Sequence, residues 1–123
     1  MENDRKIKVL VVDDEQVVRD FLARFLALKS AIVKIVEDGF MAIEAARQER
    51  FDLVFLDVKM PQMNGLETFR ELKKIDPAAK YVMMTGYAVD DLLQKARQEG
   101  AAHSINKPFD IQQISSIIEN FAC

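Results

Sequence analysis

Three acids, a hydroxyl and an ammonium group occupy similar places along this chain. Asp13 and Asp14 follow the apolar run IKVLVV, Asp57 follows LVFL, Thr85 follows KYVMM, and Lys107 follows a weaker run ending at Ile105. Taken singly, each has an ordinary explanation: Asp57, for instance, reads equally well as a solvated residue at a strand end or as a helix cap. Taken together they form a chemical set. Two carboxylates about 4 Å apart repel by about 4 kcal/mol at an effective dielectric near 20. Such a cluster must take up protons, splay apart or hold a cation. A hard, all-oxygen pocket with few protein ligands suits Mg²⁺, which keeps several waters and often bridges to a phosphate. A carboxylate beside that cation and a lysine can attack phosphorus and form an acyl phosphate. The cation and Lys107 then stabilise charge on the transferring phosphoryl oxygens, and Thr85 donates a hydrogen bond to one of them.

That chemistry needs elements that bring the residues together. Ile7–Val12, Ala31–Val36, Asp52–Leu56, Lys80–Met84 and Ala102–Ile105 read as strands. Between and after them lie five amphipathic helical segments. The first, to about Leu28, turns Val18, Phe21, Leu22, Phe25 and Leu26 inward. The second, Phe40–Gln48, turns in Ala42, Ile43, Ala45 and Ala46. The third starts near Gly65 and carries Leu66, Phe69, Leu72 and Ile75. The fourth, Val89–Glu99, buries Val89, Leu92, Leu93 and Ala96 before the C′ glycine Gly100. The fifth opens on Asp110 with Gln113 as a capping box and presents Ile111, Ile114, Ile117, Ile118 and Phe121. Five alternations of strand and helix imply an α/β fold: a parallel sheet with helices on both faces and right-handed crossovers. In such sheets ligands bind beyond the carboxyl ends of the strands. The five chemical residues all stand at that edge.

Length and charge narrow the class. With 123 residues, the chain is expected to form a single domain over 1–123. A net charge of −3 gives no basic footprint for nucleic acid. The single cysteine, Cys123, excludes an internal disulfide and a cysteine-based metal cluster. No apolar run approaches a membrane span, and the charged start MENDRKIK does not read as a secretory signal. The expected setting is the cytoplasm.

Four stretches in order, VLVVDDE at 9–15, LVFLDVKMPQMNG at 53–65, MTGYA at 84–88 and GAAHSINKPFD at 100–110, resemble the receiver domain of two-component response regulators over essentially the whole chain. The resemblance implies a flavodoxin-like (βα)5 three-layer sandwich with strand order 2-1-3-4-5. It implies that Asp57 takes a phosphoryl group from a sensor histidine kinase or a histidine phosphotransfer protein. It implies that Asp14, Asp57 and the backbone carbonyl of Lys59 hold Mg²⁺ directly, with Asp13 acting mainly through water. It implies that Thr85 and Lys107 contact the phosphoryl group and that the Lys107–Pro108 peptide is cis. The surface around helix four, strand five and helix five would then carry the signal to a downstream protein or output domain, with no direct nucleic-acid binding and no turnover of an outside substrate.

Two departures bear on that reading. Ser104 stands where the family often has a switching Tyr or Phe, with His103 beside it. Lys59 and Tyr87 stand where the family flanks the path of hydrolytic water, so a long stem and a ring are expected to prolong the acyl phosphate. Lys59 also speaks against a phosphohydrolase of the haloacid dehalogenase type, which places a second acid there. A binding module that has lost phosphorylation is the remaining alternative, and the intact set Asp13, Asp14, Asp57, Thr85 and Lys107 argues against it.

Overall fold

The computed structural model describes residues 6–86 and 91–122, with residues 121 and 122 described by their backbone alone. Tyr87, Val89 and Cys123, and the side chain of Phe121, lie outside the described residues. The elements alternate as β1 (Lys8–Val12), α1 (Gln16–Leu28), β2 (Ile32–Val36), α2 (Gly39–Gln48), β3 (Leu53–Asp57), α3 (Gly65–Ile75), β4 (Lys80–Thr85), α4 (Asp91–Gln98), β5 (His103–Asn106) and α5 (Ile111–Ala122). All pairings are parallel, and the sheet runs β2-β1-β3-β4-β5. This is the expected three-layer α/β sandwich. Among the described residues no helix is long and apolar enough to cross a membrane.

The period-two pleat of the central strands sorts their side chains into two cores. Leu10, Val12, Val54, Leu56 and Met83 join Ala42, Ala45, Phe69, Leu72, Leu93 and Ala96, so α2, α3 and α4 cover one face. Val9, Val11, Leu53, Phe55, Val82 and Met84 join Leu22, Leu26, Ile114, Ile117 and Ile118, so α1 and α5 cover the other. β3 is buried along its whole length, which is why it reads as an unbroken apolar run.

Two inward assignments differ. Ile111, the first residue of α5, is 49% exposed. Phe21 sits at the rim of its core, stacked between Phe25 and Phe109 with ring centroids at 6.2 and 6.0 Å. At Asp110 the carboxylate accepts from the Gln112 N–H at 2.9 Å. The reciprocal capping box of the described helices is at α3: Asn64 Oδ1 accepts from the Glu67 N–H at 2.9 Å, and Glu67 Oε1 accepts from the Asn64 N–H at 3.0 Å. Gly100 has φ 111°, as a C′ glycine should.

Candidate phosphoacceptor and metal site

Register aligns the strand ends. Val12 pairs with Leu56, Asp57 with Met84, and Thr85 with Asn106. Asp13 therefore leaves β1 at the level where β3 ends in Asp57. Beyond β5, the Lys107 N–H donates to the Thr85 carbonyl at 2.7 Å, which draws the lysine to the same edge, and the Lys107–Pro108 peptide is cis.

The β3–α3 loop is held close to the acid it follows. The Val58 N–H donates to the Met84 carbonyl at 2.9 Å, and the Gly65 N–H donates to the Val58 carbonyl at 2.7 Å. A Cβ on Gly65 would collide with the Asp57 carbonyl and lie 2.6 Å from the Val58 Cα. Only a glycine lets the first turn of α3 come this near the backbone of the acid.

The side chains converge. One carboxylate oxygen each from Asp13, Asp14 and Asp57 lie within 4.8 Å of one another. Asp13 and Asp57 are buried and Asp14 is exposed, so the cluster opens to solvent on the Asp14 side. The Lys107 Nζ reaches in to 2.8 Å from Asp13 Oδ2, 3.1 Å from Glu15 Oε1 and 3.4 Å from Asp57 Oδ1. Asp13 Oδ1 accepts the Glu15 N–H at 2.9 Å, and Arg19 Nη1 donates to the Asp13 carbonyl at 2.8 Å. Asp13 Oδ2, though close to the ammonium, is buried and accepts no properly directed hydrogen bond. Thr85 is fully buried at the end of β4. Lys59, two residues past Asp57, is exposed.

The electrostatics follow from this crowding. Burial pushes the Asp57 carboxyl up to about 7; the charges of Asp13 and Asp14 add to the shift and Lys107 offsets part of it. Burial likewise pushes Asp13 up against the pull of Lys107. Burial works against the charge on Lys107, but Asp13, Asp57 and Glu15 outweigh it and hold the ammonium above its ordinary value. A single lysine thus leaves a surplus of buried negative charge. Hard oxygen donors, a carboxylate oxygen lacking a hydrogen bond and an open solvent side are what a small divalent cation requires, and the residues fit one.

The expected phosphoryl-binding set is therefore brought to one edge: Asp13, Asp14, Asp57 and Lys107 by side-chain geometry, Thr85 and Lys59 by position on β4 and the β3–α3 loop. The family model described as the response regulator receiver domain matches residues 9–119. The chain belongs to the response regulator receiver domain family. The receiver is 32% identical to sporulation initiation phosphotransferase F of Bacillus subtilis (strain 168), covering 93% of this chain and 92% of the relative. Two longer curated relatives are matched over part of their length, and the receiver spans 45% and 25% of them. Among solved structures it is similar to a response regulator protein from Burkholderia pseudomallei, described with a phosphorylated aspartic acid, calcium ion and citrate (TM-score 0.85, 26% identity, 95% of this chain and 69% of that one). A receiver domain of a sensor histidine kinase from Pseudomonas aeruginosa PAO1, described with a magnesium ion in its active-site cleft, shares the fold (TM-score 0.85, 22% identity, 96% and 98% covered). The receiver is thus a signalling domain of two-component systems.

The sequence marks Gly65 only as a turn residue and helix start, and it gives Glu15 and Arg19 no role. Glu15 was visible as the third acid of DDE, but its pairing with Lys107 spans 92 residues and leaves no local trace. At the position of the missing aromatic, Ser104 is half-buried and His103 exposed, at the rim of a 330 Å³ groove between β5 and α5.

Proposed function

We propose that Asp57 accepts a phosphoryl group from the phosphohistidine of a sensor histidine kinase or histidine phosphotransfer protein. The observation that carries this reading is the placement of Asp57 in the acid cluster, with its Oδ1 3.4 Å from the Lys107 ammonium. A carboxylate oxygen of Asp57 attacks phosphorus. The new O–P bond forms as the N–P bond breaks, and the electron pair of that bond returns to the imidazole. Lys107 and the Thr85 hydroxyl take the phosphoryl oxygens as charge shifts onto them. Asp13, Asp14, Asp57 and the Lys59 carbonyl are the groups that would hold Mg²⁺. When bound, that ion neutralises charge on the phosphoryl oxygens. The phosphorylated aspartate of the Burkholderia regulator and the magnesium of the Pseudomonas receiver support the assignment by likeness.

The phosphoryl group then biases the loops after β3, β4 and β5 between two arrangements. The surface of α4, β5 and α5 passes the change to a downstream protein or an output domain. The chain acts in the cytoplasm as one receiver domain over 1–123 and turns over no outside substrate; the exposed Lys59 stands where a phosphohydrolase needs an acid. Incubation with acetyl phosphate and Mg²⁺ is expected to label the native chain and not Asp57→Asn. Equal labelling of the two proteins removes Asp57 from the role.

A further inference from the structure

Glu15 spends its carboxylate in an unexpected way. It is the N-cap residue of α1, with extended backbone (φ −94°, ψ 120°), yet its side chain accepts no capping hydrogen bond. It turns instead to Lys107, whose Nζ donates to Oε1 at 3.1 Å. The backbone beneath it is fixed. Its N–H is held by Asp13 Oδ1 at 2.9 Å, its carbonyl accepts the Arg19 N–H at 3.1 Å, and the Arg19 guanidinium holds the Asp13 carbonyl at 2.8 Å.

An ammonium has three donors, and Lys107 faces three carboxylates, at 2.8 Å (Asp13), 3.1 Å (Glu15) and 3.4 Å (Asp57). Asp57, the phosphoacceptor, is the farthest. Of the three, Glu15 Oε1 takes a directed hydrogen bond and Asp13 Oδ2 takes none, so a phosphoryl oxygen on Asp57 competes with Glu15 for a directed donor of Lys107. Asp13 is buried, and releasing it leaves an uncompensated charge in the interior. The Glu15 side chain is 62% exposed and regains water on release, so its contact is the cheap one to break.

We propose that Glu15 is a positioning residue that tethers the Lys107 ammonium to the β1–α1 side of the site in the resting protein and gives it up when Asp57 carries a phosphoryl group. The proposal rests on the phosphoacceptor reading. It makes Glu15 a brake that sets how readily Lys107 engages the phosphoryl oxygens.

Reach and charge are separable. Glu15→Asp keeps the charge but is one methylene short of Lys107; Glu15→Gln keeps the reach and removes the charge. The resting tether is read first, by NMR of the Lys107 side-chain ammonium in metal-free protein. The ammonium signal is expected at the same chemical shift in the native chain and in Glu15→Gln and displaced in Glu15→Asp and Glu15→Ala, where Asp13 and Asp57 alone hold it. Beryllofluoride, a stable stand-in for the phosphoryl group, is then titrated with Mg²⁺ present and followed by fluorine NMR. Glu15→Asp and Glu15→Ala are expected to bind it about two- to fivefold more tightly than the native chain, the ratio an exposed ion pair commands. If Glu15→Asp matches the native chain while Glu15→Gln matches Glu15→Ala, net charge alone acts and the tether is overturned. If all variants match the native chain in both measurements, it is overturned likewise. Failure of the native chain to take label from acetyl phosphate refutes the phosphoacceptor reading instead, and is distinguished by an ammonium signal that still depends on residue 15.

Discussion

Asp57 and Lys107, brought from the ends of β3 and the loop after β5, face each other at 3.4 Å across a site that holds more negative charge than one lysine can balance. Burial and that imbalance together raise the Asp57 carboxyl, with a sign that pH can read. The folded Asp57 carboxyl lies at about 7, above its unfolded value near 4. A carboxyl raised in this way favours folding fully below the unfolded value, and that contribution is lost as pH rises through 7. Metal-free protein is therefore expected to lose on the order of a few kcal/mol between about pH 4 and pH 8 from this group. Asp57→Asn cannot titrate there and is expected to be the more stable protein at pH 8, with a flatter profile. Urea unfolding of both proteins across that range checks it; parallel profiles would show that the Asp57 carboxyl is not raised in the folded protein.

Cation addition is expected to act on the same repulsion. At a Mg²⁺ concentration about a hundred times its dissociation constant, the native chain gains about 2.7 kcal/mol. Asp14→Asn and Asp57→Asn each replace an anionic carboxylate by a neutral amide and are expected to need higher Mg²⁺ for the same gain. Thermal melting with Mg²⁺ and with a chelator measures the difference.

Gly65 is where the helix and the acid touch. Gly65→Ala drives a methyl group into the Asp57 carbonyl and the Val58 backbone, which cannot swing away as a side chain can. A loss of about 1–3 kcal/mol is expected, the usual cost of overpacking. Weakened Mg²⁺ binding should accompany it, because the displaced backbone carries Asp57. Denaturant unfolding and a Mg²⁺ titration of the same variant separate the two effects.

The spread of legibility along the chain has physical causes. The fold was readable because parallel strands buried on both faces are apolar without interruption, as Leu53–Leu56 is, and because five strand-plus-helix units admit few topologies. Asp13, Asp57, Thr85 and Lys107 were readable because that topology puts every strand end on one edge. Other features leave no such trace. The Asn64–Glu67 capping box hides behind the Asn64-Gly65 pair, which reads as a turn whether or not a helix follows. Ile111 fits the apolar stripe of α5, yet as the first residue of the helix it is exposed. The Glu15–Lys107 hydrogen bond joins the first loop to the last and depends on the closed fold.

Lys59 stands exposed two residues past Asp57. Replacing Lys59 and Tyr87 together by alanine is expected to shorten the phosphorylated state from minutes or longer towards seconds. Timed loss of phosphate from purified phosphoprotein reads the change, and an unchanged rate would show that neither residue screens the site.

The identity of the acceptor is open to direct chemical reading. An acyl phosphate is reduced by borohydride at the carbonyl carbon that carries it, leaving a homoserine where the aspartate stood. Native protein labelled by acetyl phosphate with Mg²⁺, reduced and mapped by peptide mass spectrometry, is expected to carry that homoserine at position 57 alone. Reduction at Asp13, Asp14 or another carboxylate, or label with no reducible carboxyl, would contradict Asp57 as the phosphoacceptor.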